Sequence, residues 1–272
     1  MTTISTHAGS KILALFLDSQ IKLLVDNVST INQCNQPRIS HLYAIYSAII
    51  EDAISIRLLC DNSRTNQAYI ISRALIERVT NFCFLQLCTD TTFSDYLDYS
   101  LNKAGRSLDQ SIEANGQVKA RLTLNGGDFE LPPKIRAAIA KFTSERGREK
   151  TRWTNVSLPE RAAVIEATLG NTGLFMSLLA IYANASEALH GTIYGAIFHL
   201  STYEIKPPHD QVSLDCYFHQ TLSILYLMAG ASIDTLFNLL ASLHDETFNA
   251  VAKESKNAFK EAAIATGLAV GS

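Results

Sequence analysis

Residues 174–200 read LFMSLLAIYANASEALHGTIYGAIFHL, and the spacing of their apolar side chains decides the fold class. Phe175, Leu178, Tyr182, Ala185 and Leu189 recur at intervals of three and four residues. A period near 3.6 places them on one face of a helix. That spacing predicts a helix over 173–190, closed by Gly191, because a residue without a Cβ suits the left-handed conformation that ends helices. The same period predicts helices at about 10–29, 39–62, 65–90, 92–114, 133–147, 158–169, 209–243 and 245–264. The 209–243 helix carries a candidate break at Gly230. Strand-like alternation is confined to RLTLNGGDFELPP, where Asn125-Gly126-Gly127 predicts a small hairpin over 121–131. The expectation is all-α: a single-domain bundle of long helices over residues 1–272.

Composition agrees with a packed helical protein. Hydrophobic residues make up 47% of the chain and charged ones 18%, which supports a sizeable core and argues against disorder. A net charge of −3 excludes a broad basic field over the whole surface. Cys34, Cys60, Cys83, Cys88 and Cys216 form no C-x-x-C pair and fall mostly in apolar segments, so free thiols and a cytoplasmic location are expected. The N-terminal MTTISTHAGSKILALFLDSQ meets Asp18 before a secretory apolar core can form. The window LSILYLMAGASIDTLFNLLASL (222–243) is interrupted by Asp234. It reads as a buried helix, with no membrane association expected.

Against this background the polar residues inside apolar helices stand out. Ser186 and His190 lie four apart on one flank of the 173–190 stripe, with Asn184 beside them. In SRALIERVTNFCFLQL (72–87), Arg73, Glu77 and Asn81 form a polar column at intervals of four. Charge embedded among Leu75, Ile76, Val79 and Phe82 needs partners. One reading is an intrahelical ion pair; the other has Arg73 and Glu77 facing Ser186 and His190 across the bundle. Together these groups could cleave RNA without a metal, with the 2′-hydroxyl as nucleophile. His190 would serve as acid or base, Arg73 would clamp the phosphate and Glu77 would orient either. Ser186 or Asn184 would hold a phosphate oxygen or the sugar.

Glu187-Ala-Leu-His190 also has the spacing of a di-iron ligand pair, but no second such motif accompanies it. No metal or other cofactor is expected.

A second feature points to phosphate. KIRAAIAKFTSERGREKTRW (134–153) holds seven basic and two acidic residues, +5, leaving the rest of the chain at −8. Arg146, Arg148, Lys150, Arg152 and the sole tryptophan, Trp153, make a basic arm that reads as a nucleic-acid footprint with a stacking residue.

The signatures R-A-L-I-E (73–77) and S-E-A-L-H-G (186–191), about a hundred residues apart, resemble those of an uncharacterised family of all-helical bacterial proteins. That family carries R-x-x-x-E on one helix and S-x-x-x-H-G on a later one. More distantly the chain resembles the HEPN superfamily of helical ribonucleases of toxin and anti-phage systems. HEPN nucleases carry their Arg and His close together on one helix, so Arg73 would here supply the cation from another helix. The resemblance implies a metal-independent RNA-cleaving toxin or defence effector, dimeric, with a defence-system protein as partner. The alternative is a non-enzymatic helical sensor or scaffold, in which both polar stripes are structural.

Overall fold

The computed structural model describes residues 6–124, 130–170, 172–197 and 210–268. The chain divides into two compact units, one of residues 1–87 and 158–272, the other of residues 88–157.

The larger unit is a helical bundle centred on α12 (Gln211–Leu243), the longest helix. Against α12 pack α1 (Thr6–Asp26), α5 (Thr65–Leu87) and α13 (Asp245–Thr266), while α4 (Tyr43–Asp61) fills the space between α1 and α5. Short α2 (Val28–Gln33) and α3 (Pro37–His41) connect α1 to α4. The helix expected at 39–62 is therefore split at Leu42, whose own conformation is not helical in ψ. Phe82, Phe237, Phe248, Leu17 and Leu75 are fully buried at the centre. Tyr46 is buried with them and donates to the Leu24 carbonyl at 2.7 Å. α12 runs unbroken through Gly230, which packs directly on the Phe16 ring of α1. The anticipated break is absent because a close helix crossing, not a kink, requires the glycine there. α12 is long and apolar enough to cross a membrane, yet 67% of its most apolar window is buried inside the protein.

Packed on both α5 and α12 lie α8 (Leu158–Leu169) and the start of the 174–197 region, whose later part runs along α5. That region is not one regular helix. α9 (Leu174–Ser177) passes into a π-helical turn (Leu178–Tyr182), then α10 (Ala183–Leu189), and α11 (Ile193–Ile197) folds back on α10. Gly191, at φ +68°, makes the reversal possible. The wide turn shifts the phase of the stripe. The buried residues are Leu174, Ser177, Ile181 and Ala185, whereas Phe175 is 44% and Leu189 55% exposed. The regular spacing read from sequence mistook the N-terminal half of this face by one residue.

The smaller unit holds α6 (Asp90–Ser107), β1 (Asp109–Ala114), β2 (Gln117–Thr123) and α7 (Pro133–Lys141). The chain does contain a small hairpin, but its turn is Asn115-Gly116, at φ +55° and +72°. Two successive positive φ values are what a tight two-residue hairpin needs. Residues 109–114, expected as the end of a helix, are its first strand. Residues 125–129, with the Asn125-Gly126-Gly127 sequence, lie outside the described residues.

Candidate functional site

The site is built where α10 and the π-turn lie along α5. From α5, Arg73 projects onto Tyr182, the last residue of the π-turn. Its guanidinium carbon sits 4.5 Å from the ring centre, and Nη2 donates to the phenolic oxygen at 3.2 Å. Stacking on an aromatic face stabilises a cation without neutralising it. Among the described residues Arg73 has no carboxylate partner, and its Nη1 is buried with no hydrogen bond.

Glu77 lies one turn further along α5 and is half-buried. The intrahelical ion pair with Arg73 does not form, and among the described residues Glu77 makes no hydrogen bond or ion pair. The third member of the column, Asn81, is engaged structurally, accepting from Arg161 of α8. The neighbouring Arg78 pairs with Asp52 of α4, whose carboxyl burial pushes above its usual range while Arg78 pulls it back.

On the facing helix, Ser186 follows Tyr182 by one turn and donates to the Tyr182 carbonyl at 2.7 Å. Its hydroxyl is thus occupied by its own helix, a common resting arrangement for Ser. His190 caps α10, is exposed, and its ring makes no hydrogen bond among the described residues. Asn184 is fully engaged: its amide donates to the Ala180 carbonyl at 3.4 Å and its oxygen accepts from Tyr194 at 3.1 Å. Arg73 and Ser186 are joined through Tyr182, but no hydrogen bond or ion pair links Arg73 or Glu77 directly to Ser186 or His190. Tyr182 is the group that sequence reasoning missed as a site residue, having placed it in the core stripe. The signal was its position one turn before Ser186, an aromatic ring on a polar flank.

Glu187 is exposed beside His190 and accepts from Thr192. Among the described residues no three His, Cys, Asp or Glu side chains gather as metal ligands.

The basic arm belongs to the smaller unit. Ser144 to Gly147 form a tight turn, closed by the Gly147 amide on the Ser144 carbonyl at 2.8 Å. Arg146 stands exposed at its tip. After the turn Arg148, Lys150 and Arg152 are also exposed, whereas Trp153 is half-buried edge to face against Tyr96. Two other basic residues of the arm are neutralised locally, Lys141 by Asp95 and Asp98 and Arg136 by Glu130.

Residues 40–206 match the model of DUF5677, a family of unknown function, over more than half of the chain. The chain belongs to this family. The match spans α4 through α11, so the DUF5677 region contains Arg73, Glu77, Tyr182, Ser186 and His190 as well as the entire smaller unit. No curated protein and no solved structure matches the chain.

Proposed function

We propose that this protein acts on RNA at the α5–α10 face as a HEPN-like, metal-independent ribonuclease of the toxin or phage-defence kind. One observation carries the reading. Arg73 is a half-buried cation held on Tyr182 with no counter-ion among the described residues, and one of its nitrogens is buried with no partner among them. Leaving such a donor unmet is costly in a finished structural network. A phosphate oxygen supplies both the acceptor and the missing negative charge. In this reading Arg73 binds the scissile phosphate and steadies its developing charge. His190, exposed at the helix end, exchanges protons with the 2′-hydroxyl or the leaving oxygen, while Ser186 and the unpaired Glu77 position the sugar and the imidazole.

The test is cleavage of a mixed-sequence RNA in EDTA. His190→Ala and Arg73→Lys are each expected to lower the rate by about 100-fold or more, with the melting temperature unchanged. Lysine keeps the charge but lacks the planar group that stacks on Tyr182. Full activity of His190→Ala, loss of wild-type activity in EDTA, or no cleavage of any RNA overturns the reading.

A second reading, a non-enzymatic sensor or scaffold, is favoured by a different observation. Phe175, Met176, Leu179, Ile193, Tyr194 and Ile197 are 39–82% exposed on α9–α11. Each shows on the order of 100 Å², so together they approach the roughly 800 Å² per partner of a standard interface. That area suits a second copy of the chain.

A further inference from the structure

The arm's free cations lie on a segment that is fastened along α6. Glu149 pairs with Thr143 in a one-residue antiparallel bridge, with Arg148 and Lys150 on either side of it. Glu149 and Trp153 are half-buried, while Arg148, Lys150, Thr151 and Arg152 stand exposed. The half-buried groups are fastened to one face of α6. Glu149 receives Lys103 at 2.8 Å and Asn102 at 3.1 Å, with Arg106 at 3.8 Å. The Thr151 carbonyl accepts from Tyr99 at 2.7 Å, and Trp153 lies 5.1 Å from the Tyr96 ring. Tyr96, Tyr99, Lys103 and Arg106 form a stripe at helical spacing, so α6 serves as a splint along which the arm runs antiparallel. Arg106 also reaches Thr143 at 2.6 Å, fixing the other strand of the turn. The backbone bonds between Lys150 and Phe142 and between Ser144 and Arg148 complete the brace.

Two consequences follow. The acid of this run, Glu149, is half-buried and already matched by Lys103 and Arg106, which leaves its exposed charges all positive. Arg148 and Lys150, two residues apart around the bridged Glu149, are spaced about 6.6 Å at twice the rise per residue of a strand, and Arg152 follows two residues on. That repeat is of the order of the distance between successive phosphates on an extended nucleic-acid strand. Arg148 and Arg152 have no side-chain partner among the described residues, and Lys150 meets only the Lys141 carbonyl, which does not neutralise it.

We propose that Arg148, Lys150 and Arg152 form a ladder that binds the phosphate backbone of single-stranded RNA, held in register by the α6 splint. The preference for RNA as the strand rests on the function proposed above; the ladder itself does not depend on cleavage. It reads no base, so oligodeoxythymidine of the same length should also bind.

The test uses fluorescence anisotropy of labelled oligouridine with the full chain, over a range of salt concentrations. Replacing Arg148, Lys150 and Arg152 together by Ala is expected to weaken binding at least tenfold. It should also reduce the salt slope by about 2, since each single-strand phosphate contact contributes roughly 0.7. Glu149→Ala separates position from charge. It makes the arm more positive, so attraction by net charge alone would tighten binding, whereas loss of the anchor should weaken it severalfold. Melting temperatures of all variants are followed alongside. Binding is read independently of cleavage, so a wild type that binds oligouridine but cleaves no RNA sinks the ribonuclease reading and leaves the ladder standing. The proposal is overturned if wild type does not bind oligouridine at low salt, or if the triple variant keeps the full slope. Tighter binding by Glu149→Ala, or binding only to phosphatidylglycerol vesicles, overturns it equally.

Discussion

Asp234 shows how a single residue can mislead a reader of sequence and still be informative. It interrupts the most apolar window of the chain, and in the structure it sits between α12 and α13 with Ser255 donating at 2.6 Å and Asn238 at 2.8 Å. Burial pushes its carboxyl above the ordinary value of 3.8, against the pull of Ser255 and Lys256. Ser255 has one proton and faces two acceptors, Asp234 and Gln20, the latter at 2.8 Å. A protonated Asp234 would relieve that conflict by donating itself. Since the folded pKa is raised, the folded state holds the proton more tightly than the unfolded chain does. Stability is then greatest below 3.8 for this group and declines as pH rises through the raised value. Asp234→Asn is expected to raise the melting temperature by a few degrees at neutral pH and to remove this component of the pH dependence. Thermal melts of both proteins between pH 4 and 7 check it; identical profiles would show that Asp234 is not the group responsible. Cys60 follows the same logic more simply: burial lifts its thiol to about 12, so alkylation of the folded protein at neutral pH should spare it.

Among the elements, α12 and the 174–190 helix teach opposite lessons about glycine and periodicity. A sequence reader expects Gly230 to weaken or break α12. On propensity alone Gly230→Ala would stabilise the helix by about 1 kcal/mol. The added methyl group would instead press on the Phe16 ring, which is 3% exposed and has no room to swing away. Overpacking of that kind costs about 1–3 kcal/mol, so the net change is expected to be destabilising. Denaturant titration should show a lower midpoint for Gly230→Ala and recovery when Phe16→Leu is added. A rise in the single variant would mean that the helices part easily at this crossing. In the 174–190 segment the opposite happens, because no glycine or proline announces the π-turn. The extra residue in that turn is what swings Tyr182 beside Arg73 and exposes Phe175. The candidate site exists because the helix is locally irregular, as functional helices often are.

At the level of the whole molecule, the candidate ligand surfaces fall in different units. The smaller unit carries the cationic ladder, and the larger unit carries the Arg73 face and the exposed apolar residues of α9–α11. If that apolar surface joins two copies, Leu179→Asp should convert the protein to a monomer with little change in melting temperature, since Leu179 is 70% exposed and supports no core. Light scattering behind a sizing column decides this, and a wild-type protein that is monomeric at high concentration removes the homodimer reading.

The sequence by itself determined that the protein is helical, because a period of 3.6 in apolar residues is a local property that each segment carries independently. It also marked Arg73, Glu77, Ser186, His190 and the basic arm, since charge among apolar residues stands out wherever it falls. Tertiary structure alone decided what those residues meet. Arg73 met Tyr182 rather than Glu77, Asn184 was claimed by Tyr194, and Trp153 became an anchor for the arm instead of a free platform. Position along a chain fixes which face a residue occupies only while the helix stays regular. The π-turn and the α6 splint are stabilised by contacts between segments far apart in sequence, and no local pattern contains that information, whereas the Asn115-Gly116 hairpin carries its own local turn signal.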